Sequence, residues 1–396
     1  MSNRHPSRVS NPRVLVTYAW VRSSWAMIRN LARHGLKVYA GDTQQVFMSR
    51  YSRYCAGWLR HPDFKKDPEG FISALVEFIT AHDIGTYLPS HEEGFIVAKY
   101  RDRFPAGVKI PISPHATIEA MDNKLLAQQL AQELSIPHPR TFQFSGEADF
   151  QQRKGDLPAH GVVKRTHSHG SHGVGIYQTP GELERHWSEA ARGLASGDNW
   201  PIVQEFITAR IYAVSLLADE GRVLASFVRR NLREKEPFGG ACVKAESTHL
   251  PEAVAHATRI AEHLRFTGVA MFEFLVDEQN DRRCWLMEIN PRYWGTSAHD
   301  IDCGVEFPWL QFCMANGIAF EPFPEYRDGL KSRWIAGDVI SYLKRRQSAP
   351  GQRGSLRQYL DFDDDFYMDF KLDDPIPFLV QAYLYFKFRA AVLAPR

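Results

Sequence analysis

The stretch WLMEINPRYWG, Trp285 to Gly295, decides the reading of this chain. It sets Glu288, Asn290 and Arg292 at alternate positions inside an otherwise apolar run. In a strand, alternate side chains share one face, so two oxygen donors and a guanidinium would point the same way. A buried acid without a partner is expensive. Something on that face has to balance the acid, and a metal ion carrying phosphate is one candidate.

Working upstream, VAMFEFLVD (Val269 to Asp277) reads as a second strand, joined to the first by a hairpin centred on Asn280 and Asp281. That centre sets Glu273 opposite Glu288. Facing carboxylates on neighbouring strands repel unless a cation stands between them. Glu273, Glu288 and Asn290 offer oxygen only, which suits Mg²⁺, an ion that takes few protein ligands and fills its shell with phosphate and water. The plainer alternative is a buried acid–arginine network with no metal.

Three further segments fit a phosphate ligand. Lys164 ends the strand GVVK and leads into RTHSHGSHGVGIY, where Gly170, Gly173 and Gly175 permit close backbone approach to phosphate oxygens. His167, His169 and His172 in that loop raise a zinc reading, but no fourth soft ligand lies nearby, and solvated or phosphate-facing histidines are the simpler expectation. Lys124 sits in a helical pattern running from 114 to 136, which Pro137 and Pro139 stop, with Leu126, Leu130 and Leu134 on another face. Two lysines and a divalent cation would offset the charge of a triphosphate. VQEFI, Val203 to Ile207, is an apolar strand able to offer backbone donors and acceptors to an adenine edge.

The rest of the chain frames this set. Residues 13 to 120 alternate strand and helix, which implies a parallel sheet covered by helices. Ser23 or Ser24 is the expected cap of the first helix, SSWAMIRNLARHG, and Gly35 its end. The first strand-to-helix turn lacks G-x-G-x-x-G, so an ordinary dinucleotide site is not supported. From residue 160 onward strands dominate and read as antiparallel.

A length of 396 residues suggests two or three domains. With 44% hydrophobic and 24% charged residues the composition is that of a soluble globular protein. A net charge of +2 indicates no nucleic-acid tract. Five scattered cysteines without a CxxC pair point to reduced thiols and a cytoplasmic setting. The polar N-terminus lacks a signal-peptide core, and no transmembrane segment is expected. The aromatic C-terminal stretch reads as a docked helix; lying on a membrane is the alternative.

The order of these pieces resembles the ATP-grasp superfamily: a helix lysine, a strand lysine with a glycine-rich loop, a QEF hinge, then FEF and MEINPR on a hairpin. The resemblance spans roughly residues 12 to 320. It implies an α/β (α+β) chain with a Rossmann-like parallel domain (1–120), an ATP-grasp domain of two α+β subdomains (121–320) and a short C-terminal extension (321–396). It implies that Lys124, Lys164 and the loop residues Ser171, Gly173 and Val174 meet the ATP phosphates. Gln204, Glu205, Phe206 and Ile207 would line the adenine site. Glu273, Glu288 and Asn290 would hold one or two Mg²⁺, with Mn²⁺ able to substitute, and Arg292 would meet the γ-phosphate or a nascent acyl phosphate. One departure concerns ribose: many members carry a glutamate where this chain has Ile211.

A narrower likeness joins VRRNLREKEPFGGACVKAES (Val228 to Ser247) and the C-terminal DDPIPFLVQ to poorly characterised carboxylate–amine ligases of that superfamily. Arg229 or Arg230 would then meet a substrate carboxylate, since a guanidinium matches carboxylate geometry. The implied activity is ATP-dependent amide formation through an acyl phosphate, releasing ADP and phosphate. The partners would be a small carboxylate and an amine, with no nucleic acid and a possible homodimer. The alternatives are a bicarbonate-activating, carboxylase-like enzyme and a nucleotide-binding regulatory module without catalysis.

Overall fold

Residues 11–167, 173–195, 199–236, 240–346, 359–361 and 363–393 are described by the structure, a computed structural model of the full chain. The N-terminal part is a four-stranded parallel sheet in the order Cys55–Arg60, Lys37–Asp42, Arg13–Val16, Thr86–Leu88. Val14, Leu15 and Val16 are fully buried because helices cover both faces. Val14 and Val16 pack with Met27, Ile28 and Leu31 of helix Arg22–Arg33. Leu15 faces the other way, onto Phe71, Leu75 and Ile79 of helix Pro68–Ala81.

The structure departs from the sequence reading here in three places. Strand Cys55–Arg60 had no clear signal, because an edge strand has mostly half-exposed residues and no apolar alternation. VKIPIS, Val108 to Ser113, which the strand–helix alternation of this region reads as its last strand, forms one isolated bridge, Thr86 to Lys109, and no strand; Pro111 has no N–H to extend a ladder. Neither Ser23 nor Ser24 caps the first helix. Both lie inside its first turn, and Ser24 Oγ instead bonds the Tyr18 carbonyl at 2.9 Å and Ser90 Oγ at 2.7 Å.

The helical pattern from 114 to 136 is two helices, His115–Asp122 and Lys124–Glu133. Asn123 breaks it, with φ −68° and ψ 115°, and its side chain accepts from Leu125 N at 3.0 Å and Leu126 N at 3.3 Å. Asparagine is a strong N-cap, and apolar spacing that continues through the break conceals it.

A small antiparallel sheet follows, ordered Thr141–Phe142, Ile202–Glu205, Gly161–Lys164, Val174–Tyr177. Val163 and Val203 bury one face against Phe150 and Trp187. The pairs Lys164–Ile202 and Val162–Gln204 turn the other way.

The large sheet has seven strands: Cys284–Asn290, Gly268–Val276, Arg210–Asp219, Arg222–Glu234, Cys242–Thr248, Lys331–Arg333 and Phe366–Tyr367. One face joins the N-terminal core through Ala213, Leu217, Met271 and Phe227. The other packs on helix Pro251–His263 through Tyr212, Val214, Phe272 and Phe274. Residues beyond 321 supply the last two strands of this sheet. Asp374 ties the same region to the N-terminal part, accepting from Trp25 Nε1 at 2.8 Å and Ser52 Oγ at 2.5 Å. Among the described residues no helix is long and apolar enough to cross a membrane.

Candidate active site

The hairpin register pairs Met271 with Asn290, Phe272 with Ile289 and Glu273 with Glu288. Asp281 and Arg282, at φ 51° and 56°, turn the chain, and Asp277 N donates to Arg283 O at 3.0 Å to close the loop. Direct pairings continue across the sheet from Glu288 to Glu273, Ala213 and Arg229. Residues paired directly share a face, so this row points toward the N-terminal core. Arg229 therefore stands on the side of the acids. Arg230 does not: it projects from the opposite face, its Nε 2.5 Å from Glu246 and its Nη1 3.4 Å from Glu278. Of the two arginines, strand parity puts only Arg229 on the side of the acids.

Charges on this face are tightly matched. Lys124 Nζ lies 3.6 Å from Glu288 Oε2, and Arg229 Nη2 lies 3.8 Å from Glu273 Oε1. Arg292 Nη2 donates to Asn290 Oδ1 at 2.6 Å, and Asn290 Nδ2 donates to Glu288 Oε1 at 3.3 Å. Burial and the Glu288 charge push the Glu273 carboxyl well above the usual range. Burial acts on Glu288 in the same direction but is outweighed by Lys124, Lys164 and hydrogen bonds from Glu273 and Asn290, so Glu288 is held down. The two acids are thus driven apart, Glu273 toward its neutral form and Glu288 toward its charged form. Burial lowers Lys164 to about 8, with Glu288 opposing the shift and Lys124 reinforcing it.

Lys124 reaches this row because the chain breaks at Asn123. As the first residue of its helix, Lys124 donates its backbone N–H to Thr166 O at 3.0 Å. One turn on, Gln128 Nε2 donates to Leu286 O at 3.3 Å, fixing the helix on the strand that carries Glu288. Asp122, before the break, is buried and pushed up to about 6 by burial, with Arg292 and Lys124 opposing. Sequence reasoning missed Asn123, Asp122 and Gln128; the Asp-Asn pair inside a helical pattern was the available signal.

On the small sheet, Gln204 shares its face with Lys164, is 2% exposed, and donates from Nε2 to Thr141 Oγ1 at 2.9 Å, leaving Oε1 unpaired. Glu205 accepts from Arg140 N at 2.8 Å and so points to the sheet edge. Phe206 stacks on His160 with ring centroids 4.0 Å apart, and Ile207 follows it beyond the strand. Val174 pairs with Lys164, and Gly173, at φ 70°, returns its carbonyl to Arg165 N at 3.2 Å. A Cβ on Gly175 would stand 2.3 Å from the His186 ring, so glycine is required for that close approach. Ser171, His169, His172 and Gly170 lie outside the described residues. His167, the remaining member of the proposed zinc set, is instead 2.8 Å from Glu119. A cavity of about 510 Å³ opens beside this loop, lined by His167, Gly173, Val174 and His186 together with Lys65 and Glu92 of the N-terminal part.

The donor set fits a magnesium ion: two carboxylates opposed in register, flanked by an amide oxygen, are hard oxygen ligands of the type Mg²⁺ selects. Glu273, Glu288 and Asn290 are the residues that would hold it.

The arrangement of a small antiparallel sheet above a large one, after a parallel domain, is the ATP-grasp fold. Solved structures support this. The biotin carboxylase domain dimer of Hydrogenobacter thermophilus 2-oxoglutarate carboxylase, in complex with MgADP, ADP and bicarbonate, superposes with a TM-score of 0.63 at 15% identity, covering 81% of this chain and 73% of that one. An L-amino acid ligase from Bacillus licheniformis gives 0.61 at 16% identity, covering 79% and 76%. More particularly, residues 199–338 match a family described as ATP-grasp in the biosynthetic pathway with Ter operon. D-alanine–D-alanine ligase B of Pseudomonas putida KT2440 is 26% identical over 190 residues, 44% of this chain. The chain spans 55%, about half, of the length of that relative.

Proposed function

We propose that this protein is an ATP-dependent carboxylate–amine ligase. The observation that carries the reading is the pair Glu273–Glu288, opposed in register and met by Lys124 and Arg229, with Lys164 acting on Glu288 from the small sheet. The protein's own cations offset part of the repulsion in this pair, and a divalent cation with its anionic ligand would relieve the rest.

In this reading ATP lies between the two sheets, with its adenine along residues 204 to 207 and its phosphates toward Lys124 and Lys164. A substrate carboxylate oxygen attacks the γ-phosphorus in line. The bond to the β,γ-bridging oxygen breaks, giving ADP and an acyl phosphate. An amine then attacks the acyl carbon, loses a proton, and expels phosphate to leave an amide. Magnesium, when bound, supplies charge neutralisation for the transferring phosphoryl group. Lys124, Lys164 and Arg292 stabilise the charge that spreads over that group. The glycine-rich loop excludes water from the acyl phosphate, which would otherwise hydrolyse. A cytoplasmic enzyme acting as a homodimer belongs to the same proposal.

The test is ADP release from purified protein with MgATP and pools of carboxylates and amines, with hydroxylamine added to trap an acyl phosphate as a hydroxamate. Without hydroxylamine, steady release should need both pools; with it, the carboxylate alone should release ADP and give hydroxamate. Turnover on bicarbonate without an amine would favour carboxylation instead. ATP binding with no turnover on any pool would reduce the protein to a nucleotide-binding module.

A further inference from the structure

A second buried cation near the site, Arg22, makes no direct ion pair among the described residues. Arg22, the first residue of helix Arg22–Arg33, is 9% exposed. Its guanidinium makes no hydrogen bond or ion pair with any described residue, and its Nε is buried and unpaired. It lies flat on Trp334, 3.6 Å from the ring centroid. Burial depresses its pKa, and the nearby Arg229 charge depresses it further, while Tyr385 and Asp369 oppose. Neither offers a bond: both Asp369 oxygens accept from backbone, at 3.0 Å from Ile335 N and 3.0 Å from Ala336 N. Stacking on tryptophan offsets part of the cost of desolvating the cation. Burying a full charge without a partner costs more than that.

Trp334 Nε1 is buried and unpaired, as are Asn231 Nδ2, Arg229 Nε and the Thr296 hydroxyl. These groups belong to one place. Asn231 lies two residues from Arg229 on the same strand face and pairs with Ala245, which packs in one buried cluster with Trp334. Thr296 adjoins Gly295, whose bare backbone leaves room for Arg22: a Cβ there would stand 2.7 Å from Nη2. Gly295 lies three residues beyond Arg292, so this surface continues from the phosphate-facing end of the site.

We propose that Arg22, Asn231 and Trp334 hold a substrate carboxylate other than the one being activated, and hence that one substrate is an amino acid or a dicarboxylic acid. A planar carboxylate matches the guanidinium fork and takes up the neighbouring amide and indole donors. The geometry assigns Arg22 a binding role in specificity, remote from the phosphoryl transfer. This inference rests on the ligase reading above.

The test uses the full-length protein with Mg²⁺ and ATP, reading ADP release. One arm supplies the twenty free L-amino acids and their α-carboxamides as amines. A second arm supplies dicarboxylic acids and their monoamides as acyl donors. In the wild type, one arm should contain an acid favoured at least about 10-fold over its amide, the loss expected when buried donors go unmet. Arg22→Gln should abolish that preference, lowering kcat/KM for the acid at least about 10-fold while leaving its amide and the affinity for MgATP unchanged. Absence of any acid-over-amide preference in both arms, or equal loss for acid and amide, overturns the proposal. Failure of the wild type to bind MgATP overturns the ligase reading itself, and is distinguishable on that ground. Arg22→Met, measured without ligand, gives a second readout. It keeps an apolar stack on Trp334 and removes a buried lone charge, so its melting temperature should match or exceed wild type. A marked fall would mean that Arg22 is structural and would overturn the assignment. Asn231→Leu removes a second donor and should reproduce the selective loss for the acid.

Discussion

Glu273 and Glu288 stand directly opposite each other on neighbouring antiparallel strands, and their carboxyls hydrogen-bond to one another. An arrangement that repels when both acids ionise makes its own metal dependence testable.

Glu288→Ala removes one acid of the pair together with the Lys124 partner. Relief of repulsion and loss of the ion pair oppose each other, so the melting temperature should move by only a few degrees. Turnover should fall by about 10³-fold, equivalent to about 4 kcal/mol. Near-normal ADP release from this variant would refute the metal assignment.

Lys164→Ala deletes a cation that burial has already weakened. Nucleotide affinity, measured by calorimetry, should weaken by about 10- to 100-fold, or about 1.4 to 2.8 kcal/mol. Thermal stability without nucleotide should stay the same or rise. An unchanged ATP affinity would remove Lys164 from the phosphate site.

Asn123→Ala strips the cap that starts the Lys124 helix. Caps of this type are worth about 1 kcal/mol, and denaturant unfolding should show that loss. Nucleotide affinity should fall as well, because Lys124 is the first residue after the cap. Asn123→Asp, which keeps the accepting oxygen, should restore both; if it restores stability alone, the cap does not position Lys124.

The two adjacent arginines should behave oppositely. Arg229→Ala leaves Glu273 without its nearest cation and should reduce turnover by about 10²-fold or more, about 2.7 kcal/mol. Arg230→Ala, on the far face, should stay within about threefold of wild type, with its cost limited to a partly exposed ion pair worth about 1 kcal/mol or less. Equal losses from both would contradict the strand parity.

Asp300 offers a test by pH. It is fully buried, accepts from Trp294 Nε1 at 2.9 Å, and is pushed by burial up to about 7, against the pull of Arg229. The unfolded chain loses this proton near 3.8, while the folded chain keeps it to about 7. The folded state thus binds more protons across that window, so this contribution is full below it and is lost as pH rises through it. Asp300→Asn removes the titration. Its melting temperature relative to wild type should therefore climb between about pH 4 and pH 7 and then level off. A constant difference would show that Asp300 ionises normally.

How much of this was legible beforehand can be seen residue by residue. Alternation of Glu288 and Asn290 fixed their common face, since a strand has a period of two; Arg292 lies past the strand's end at Asn290 and meets that face through its bond to Asn290 Oδ1. A turn centred between Asn280 and Asp281 would set Glu273 opposite Glu288, and the structure has that pair, but it comes from a bulge between Glu273 and Phe274: nearer the turn the ladder is centred on Asn280, pairing Val276 with Cys284 and Phe274 with Leu286. Strand parity also separates Arg229 from Arg230, but only once the sheet order says which face meets the N-terminal core.

Local pattern alone determined the alternating α/β start, the acidic hairpin and the lysine strand, because each is set by neighbours within about ten residues of one another. The meeting of Lys124, Lys164 and Glu288, the exclusion of Arg230 and the stacking of Arg22 on Trp334 were decided by tertiary structure. Those relationships join segments far apart in the chain, and no periodicity encodes which faces of separate sheets are brought together.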